Sequence, residues 1–226
     1  MNLAGEPLVW RVIERIKSAR LLDEIILAIP ETQENKVLQD LAKHYQVRVF
    51  LGSEDDVLDR YYRAALSVGA KYVVRIPADN PTPQGSEIDR IIQHHFDLNR
   101  PGFSSNLAQI FNSGYPDGIG AEIFDFDLLK DAWERELDPK KREHVHLNFF
   151  DYATQKVVDE NWCPVSTIHC PEEFARPDII LDVNTREQYE YMSMLYDNLY
   201  PKNPNFSIME IIKWHDEIKL NQRTGA

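Results

Sequence analysis

The sequence predicts an α/β protein with a mostly parallel mixed sheet, and two observations support this prediction. Apolar residues along the 226-residue chain switch between helical and strand spacing, with short turns between the segments. The composition, 43% hydrophobic and 27% charged, is that of a globular chain long enough to bury one full core. Strands that alternate with helices form βαβ units, in which the crossover helix returns the chain so that the strands run parallel.

The first half of the chain has the more regular alternation. We predict helices over 7–19, 33–45, 57–68 and 84–96, and strands over 24–29, 47–50 and 72–76. Ser53 and Asp56 have the spacing of a capping box before the third helix.

The second half alternates less clearly. We predict strands over 103–107, 121–124 and 179–183, and helices over 127–137, around 142–146, over 185–199 and from 207. Thr185 with Gln188, and Ser207 with Glu210, have capping spacing. Only residues 201–205 resemble a linker, so we expect one domain over 1–200 and a docked helical tail over 201–226.

Charge and composition exclude several classes of function. A net charge of −12 argues against nucleic-acid binding, which draws its affinity from clustered Lys and Arg, but a small anionic substrate remains compatible with local basic groups. No run of about 18 apolar residues predicts a membrane span, and no secretory signal is recognisable, so we expect a cytoplasmic protein. The two cysteines, Cys163 and Cys170, are expected to be reduced structural thiols.

The carboxylate that follows the strand over 72–76 is the first candidate for function. Ligands of open α/β sheets bind at the carboxyl ends of the strands, where Asp79 can hold a divalent cation against phosphates. A turn or helix-entry role for Asp79 is the alternative. A zinc site from His144, His146, His169 and Cys170 is a rival, but His144 and His146 lie two apart on a predicted helix and so point to different faces.

Six short segments occur in one order along nearly the whole chain. They are LAGEP (3–7), GSEDDVLDRYY (52–62), RIPADNP (75–81), YPDG (115–118), REHV (142–145) and LDVNT (181–185). Together they resemble the cytidylyltransferase family of spore-coat polysaccharide biosynthesis protein F, which is related to the CMP-Kdo and acylneuraminate cytidylyltransferases. The resemblance implies a three-layer α/β/α Rossmann-like fold of the nucleotide-diphospho-sugar transferase type and a homodimer.

The resemblance also implies an activity and a set of site residues. The activity is transfer of CMP from CTP to a sugar acid or related sugar, with Mg²⁺ and release of pyrophosphate. Asp79 would be the catalytic, metal-holding residue. The implied nucleotide-binding residues are Ser53, Asp56, Arg60, Ala78 and Asp79. The implied substrate-binding residues are Asn106, Asp117, Gly118, Glu122, Glu143 and His144.

Two departures from the family pattern lead to further expectations. Relatives carry an Asp where this chain has Asn184, and strand alternation places Asp182 on the same face, so Asp182 and Asn184 are candidate metal ligands beside Asp79. The family also opens with a strand and a phosphate-binding loop that precede the segment matched by 3–7. We therefore expect the neighbouring strand edges to be unpaired or the sheet to be rearranged. A sugar-binding or interaction subunit without catalytic activity is the alternative function.

Overall fold

The computed structural model describes residues 1–224, which form a mixed α/β structure. The strands are β1 (Asn2–Leu3), β2 (Glu6–Pro7), β3 (Ile26–Pro30), β4 (Arg48–Gly52), β5 (Tyr72–Arg75), β6 (Phe103–Ser105), β7 (Glu122–Asp125), β8 (Phe150–Asp151), β9 (Lys156–Val157) and β10 (Val165–Thr167). The helices are α1 (Leu8–Ile16), α2 (Lys36–His44), α3 (Val57–Ser67), α4 (Gly85–Asp97), α5 (Phe126–Arg135), α6 (Pro139–Glu143), α7 (Arg186–Leu199) and α8 (Ile208–Thr224).

The main sheet has four strands in the order β10-β6-β7-β5. Strand β10 runs parallel to β6, whereas β7 runs antiparallel to both β6 and β5. Strands β3 and β4 form a separate parallel pair. Within residues 1–224 no hydrogen-bonded ladder joins β3 to β5.

Helices cover both faces of the main sheet, because successive side chains of a strand point to opposite faces. Phe103 and Phe124 face one side and form an apolar cluster with Leu58 of α3. Ile123 faces the other side, where it packs with Ile88 of α4. The result is the three-layer arrangement that the sequence predicts.

Strand register brings three polar side chains to one edge of the sheet. Glu122, the first residue of β7, lies opposite both Arg75 of β5 and Ser105 of β6. Since cross-strand partners share a face, the three side chains lie together on the α3 side at the carboxyl ends of β5 and β6.

Several predicted elements differ from the observed ones. Residues 179–183 form no strand and make only an isolated bridge between Ile180 and Asp117, because the neighbouring segment is a loop. The helix predicted around 142–146 is interrupted at His144, where ψ is 85°, and continues as a 3-10 turn over Val145–Asn148. The Ser53 hydroxyl accepts a hydrogen bond from the Asp56 amide at 3.0 Å, as the capping spacing predicts, but the N-cap of α3 is Asp56, which accepts from the Asp59 amide.

The predicted C-terminal tail packs against the rest of the chain. Phe206, Ile211 and Trp214 belong to the same buried cluster as Tyr196 of α7. The buried Arg15 donates hydrogen bonds to the carbonyls of Pro83 (3.1 Å) and Phe206 (2.7 Å), which ties α1 to the segment before α8. Residues 225 and 226 of the predicted tail lie outside the described residues. Among the helices over 1–224, none has the length and apolar character needed to cross a membrane.

Candidate functional site

Asp79 lies in the turn after β5, at the carboxyl edge of the main sheet. Its Oδ1 is buried and has no hydrogen-bond partner among residues 1–224. Its carbonyl accepts a hydrogen bond from the amide of Val183 at 2.9 Å, which brings the segment over 179–183 against the turn. A buried carboxylate oxygen without a donor is costly, so this atom is suited to a ligand that the chain itself does not supply.

Two further carboxylates join Asp79 in what we call the acidic cluster, consisting of Asp79, Asp117 and Asp182. The amide of Asp117 donates to the carbonyl of Ile179 at 2.9 Å, so the loop carrying Asp117 runs beside the segment carrying Asp182. Burial and the negative charges of Asp117 and Asp79 raise the pKa of Asp182. Because these charges repel one another, a bound cation would stabilise the cluster.

The donor set of the acidic cluster fits a magnesium ion. Mg²⁺ is usually held by one or two carboxylates together with water and substrate phosphates, and Asp79 and Asp182 can supply the carboxylates. Asn184 is exposed and donates its side-chain amide to Asp182 Oδ2 at 2.6 Å, and Gln188 donates to Asp182 Oδ1 at 3.0 Å, so both amides orient that carboxylate and one of them would have to give way to a metal. Among the described residues no three His, Cys, Asp or Glu side chains are grouped closely enough to hold a metal by themselves. The rival zinc site therefore lacks its ligand set, and Mg²⁺ at the acidic cluster would take most of its ligands from water and substrate phosphates.

A second polar group, which we call the Arg75 cluster, consists of Arg75, Ser105, Glu122 and Tyr152. Glu122 is fully buried and accepts hydrogen bonds from Arg75 Nη1 and from the Tyr152 hydroxyl, both at 2.7 Å. The Tyr152 hydroxyl also lies 3.2 Å from Ser105 Oγ. Burial lowers the pKa of Arg75, but the negative charge of Glu122 more than offsets this effect. The pKa of Arg75 therefore stays above its ordinary value. The substrate candidate Glu122 is therefore committed to contacts within the protein.

Arg60 lies in the first turns of α3, next to this cluster. Its Nη1 donates to the carbonyl of Ser53 at 2.5 Å, while its Nε is buried without a partner among residues 1–224. Burial lowers the pKa of Arg60. A desolvated guanidinium is stabilised more by a paired anion than an exposed guanidinium is. Arg60 is therefore a candidate for contact with a phosphate. The other nucleotide candidates, Ser53 and Ala78, are exposed.

Asp56 has a structural task in addition to capping α3. Its Oδ2 pairs with Arg142, whose Nε lies at 2.9 Å and whose Nη2 lies at 2.7 Å. Arg142 also donates from Nη1 to the carbonyl of Glu136 at 2.8 Å. Asp56 thereby connects α3 to the segment that carries Glu143 and His144.

The structure places His146, rather than Glu143 or His144, beside the Arg75 cluster. Glu143 and His144 are exposed, whereas the His146 ring is half-buried with its centroid 5.1 Å from that of Tyr152. His146 Nδ1 is buried without a partner among residues 1–224, and burial lowers the pKa of the ring. His146 is thus neutral near pH 7.

Asn106 and Gly118 support the site without facing it. The buried Asn106 donates to the carbonyl of Glu87 at 3.1 Å and accepts from the amide of Ala121 at 2.9 Å, so both ends of its amide bond to backbone. Gly118 has φ of +87°, and a Cβ there would approach the Leu181 carbonyl carbon at 3.2 Å. This close contact sets the distance between the loops that carry Asp117 and Asp182.

Sequence reasoning missed Arg75, Tyr152 and His146 as site residues. Arg75 stands inside one of the segments that carry the family resemblance, four residues before Asp79. The pairing of β5 with β7, which sets Arg75 against Glu122, was the missing information. Tyr152 comes from the β8–β9 hairpin, which the apolar pattern does not predict.

Comparisons with known proteins identify the family and the fold of the chain. A family model described as Cytidylyltransferase matches residues 1–210. The spore coat polysaccharide biosynthesis protein SpsF of Bacillus subtilis is 29% identical over 212 residues, which cover 93% of this chain and 82% of SpsF.

Solved structures of the same fold were also found. A cytidylyltransferase from Leptospira borgpetersenii superposes with a TM-score of 0.84 and 20% identity, covering 97% of this chain and 87% of that one. The CMP:2-keto-3-deoxy-manno-octonic acid synthetase complexed with CTP superposes with a TM-score of 0.60 and 12% identity, covering 87% and 90% of the two chains. These likenesses establish the Rossmann-like nucleotidyltransferase fold.

Proposed function

The chain belongs to the cytidylyltransferase family, and on that premise we propose that it transfers CMP from CTP to a sugar acid or related sugar, with Mg²⁺ and release of pyrophosphate. The acceptor sugar would serve surface polysaccharide or glycan biosynthesis, the role named for the Bacillus relative. The observation that carries the proposal is the buried, unpartnered Oδ1 of Asp79 beside Asp182, at the ligand-binding edge of the sheet.

The two polar clusters support complementary tasks in this reaction. The acceptor hydroxyl oxygen forms a bond to the α-phosphorus of CTP, and the bond from that phosphorus to the pyrophosphate oxygen breaks. Bound Mg²⁺ would neutralise phosphate charge, held by the carboxylates of Asp79 and Asp182. Arg60 would contact a phosphate oxygen, and Arg75, the partly exposed member of the Arg75 cluster, would contact the second substrate.

The site has a negative part, the acidic cluster, and a positive part, which consists of Arg60 and Arg75. The acidic cluster attracts the cation, while Arg60 and Arg75 attract anions despite the net charge of −12. Catalysis of phosphoryl or nucleotidyl transfer depends mostly on positioning of the substrates and neutralisation of their charge. The two parts of the site can provide both effects, and the proposed reaction needs no covalent intermediate.

Calorimetric titration with CTP in the presence of Mg²⁺ tests the nucleotide half of the proposal. We expect wild type to bind CTP and Asp79→Asn to bind it at least about tenfold more weakly, since a charge-assisted metal contact is lost. Asp197→Asn on the exposed face of α7 is the matched control and should leave binding unchanged. Release of pyrophosphate from CTP, with sugar acids as acceptors, then tests the reaction.

A folded chain that binds no CTP in Mg²⁺ would contradict the proposed transfer. That result would favour the alternative of a sugar-binding or interaction subunit. Equal CTP affinity in wild type and Asp79→Asn would instead remove Asp79 from the metal site.

A further inference from the structure

The segment over 80–84 joins Asp79 to α4 and is buried although it forms neither helix nor strand. Two of its residues, Pro81 and Pro83, have no backbone N–H, so the segment cannot pair as a strand does. A buried backbone carbonyl without a hydrogen bond is costly. The carbonyls of this segment therefore need donors from elsewhere in the chain.

Side chains from α7 and α1 supply two of these donors. The Tyr196 hydroxyl donates to the carbonyl of Pro81, and Arg15 Nε donates to the carbonyl of Pro83 at 3.1 Å. Both donors are buried, and they lie 115 and 68 positions away from their acceptors along the chain. The path of the backbone directly after Asp79 is therefore set by two helices that are distant in sequence.

Phe206, in the loop before α8, contacts both donors. Its ring meets the Tyr196 ring edge to face with centroids 5.2 Å apart, and the guanidinium carbon of Arg15 lies 4.1 Å from its centroid. The Phe206 carbonyl accepts hydrogen bonds from Arg15 Nη2 at 2.7 Å and from Gln84 Nε2 at 3.5 Å. Residue 206 thus contacts the two donors and the 80–84 segment itself.

The backbone of Asp79 is held between two neighbouring segments. On one side its carbonyl accepts a hydrogen bond from the amide of Val183 at 2.9 Å, and on the other side the chain continues into the 80–84 segment. Mg²⁺ requires a nearly ideal octahedral arrangement of its ligands. A small displacement of the Asp79 backbone would therefore weaken the binding of Mg²⁺ to the carboxylate.

We propose that Tyr196 is a positioning residue for Asp79. By fixing the carbonyl of Pro81, its hydroxyl holds the Asp79 carboxylate where Mg²⁺ and CTP bind. Tyr196 has no exposed surface, so it acts through the backbone and not by contact with a substrate. The inference rests on the proposed cytidylyl transfer, and it gives the α7–α8 end of the chain a task in nucleotide binding besides its part in the core.

The experiment compares two tyrosine variants with wild type. Tyr196→Phe removes the hydroxyl and keeps the ring. Tyr200→Phe, four positions further along at the C-cap of α7, is the matched control, because the Tyr200 hydroxyl donates to the Glu14 carboxylate at 2.9 Å and not to the 80–84 segment. Calorimetry with CTP and Mg²⁺ is carried out on each variant alone and on each combined with Asp79→Asn.

At saturating Mg²⁺, Tyr196→Phe should bind CTP about 3- to 10-fold more weakly than wild type, because Asp79 is less well placed. The half-saturating Mg²⁺ concentration should rise in the same variant. Tyr200→Phe should stay within about twofold of wild type. In the Asp79→Asn background, Tyr196→Phe should change the CTP affinity by less than about twofold, because the carboxylate that the tyrosine positions is already absent. A general loosening of the structure would not depend on Asp79 in this way.

Should Tyr196→Phe fail to fold, Gln84→Met is carried through the same double-mutant cycle. It removes the side-chain amide that donates to the carbonyls of Thr82 at 3.3 Å and Phe206 at 3.5 Å, and it keeps a side chain of similar length. The loss of CTP affinity should again disappear in the Asp79→Asn background.

Three results would overturn the inference. Equal CTP affinity and equal Mg²⁺ dependence in Tyr196→Phe and wild type would remove Tyr196 from the positioning of Asp79 and leave the proposed function intact. A loss of the same size in the Asp79→Asn background would assign the tyrosine a general structural task instead. Absence of CTP binding by a folded wild type would reject the proposed function and this inference with it.

Discussion

At the scale of one residue, the carboxylate of Asp79 is placed in a way that suits ligand binding but lowers the stability of the protein without a ligand. Its Oδ1 is buried without a partner, and it lies close enough to Asp182 to help raise the pKa of that side chain. Both features are unfavourable in the chain without a ligand. Strain of this kind is common at binding sites, where a ligand removes it.

Asp79→Asn should therefore not destabilise the metal-free protein. It removes one negative charge from the acidic cluster without removing a hydrogen bond to Oδ1, so we expect a free energy of unfolding in EDTA equal to wild type within about 0.5 kcal/mol, or higher. The stabilisation that Mg²⁺ and CTP add to wild type should be lost. Chemical denaturation with and without these ligands measures both effects, and a large loss of stability in EDTA would show that Asp79 has a structural task.

Buried histidines give the protein a pH dependence that can be assigned to residues. Burial lowers the pKa of His94, His146 and His215 in the folded state. Below the unfolded value of about 6.5 the unfolded chain binds more protons than the folded one, so stability falls as pH decreases through that value toward the folded pKa. Urea unfolding between pH 7.5 and 5 should show this decline.

His146→Gln tests one contribution to that decline, with the exposed His144→Gln as its control. The decline between pH 7 and 5 should be shallower in His146→Gln than in wild type, because the glutamine does not titrate. His144→Gln should follow the wild-type profile. Identical profiles for all three proteins would place the responsible groups elsewhere.

At the scale of elements, close backbone contacts set the spacing of β6 and β7. A Cβ at Gly120 would lie 2.4 Å from the carbonyl oxygen of Asn106. Gly120→Ala should then cost about 1–3 kcal/mol, since either the backbone or the buried Asn106 must move. Gly69, with φ of +63° and no atom near its Cβ position, is the control.

Chemical denaturation measures the difference between the two glycine variants. Gly69→Ala carries only the cost of a left-handed conformation, about 1 kcal/mol. A Gly120→Ala variant no less stable than Gly69→Ala would mean that the strands move apart freely. The loops that carry Asp117 and Asp182 would then also be less constrained than their contacts indicate.

Features that depend on neighbouring residues, such as helix caps, were predicted well from the sequence. Features that depend on pairing between distant segments were not. The capping box of Thr185 and Gln188 is confirmed, because both hydrogen bonds lie within one turn of chain. The strand predicted over 179–183 is wrong, because its apolar alternation says nothing about its neighbour, which is the loop around Asp117. Helix boundaries lie within three residues of the predictions, and two of them, the start of α3 and the end of α7, coincide with the predicted ones.

At the scale of the whole molecule, the ordered set of short segments identified the family when each segment alone was weak. The same segments suggested Asp79, Asp117 and Asp182, which the structure brings to one edge. They assigned Glu122 to the substrate without showing that its oxygens are taken by Arg75 and Tyr152. Contacts between residues 30 to 47 positions apart require the fold.

Truncation of the C-terminal tail tests how far the stability of the protein depends on α8. A chain ending after Lys202 loses the buried Phe206, Ile208, Ile211 and Trp214. Each such side chain contributes about 1.5–3 kcal/mol of burial, and domains are stable by only about 5–15 kcal/mol. The truncation also removes the Phe206 carbonyl from the buried Arg15. We expect this chain to lose cooperative unfolding.

A chain ending after Asn221 is the matched control, because it keeps Phe206, Ile208, Ile211 and Trp214. It should unfold at the wild-type urea midpoint, with the same near-ultraviolet dichroism from Trp214. If the chain ending after Lys202 also unfolds cooperatively near that midpoint, the tail is a separable appendage and Arg15 finds other acceptors. If it does not, residues 1–200 and the tail form one cooperative unit, since α7 and α8 share a buried cluster that neither helix can bury alone.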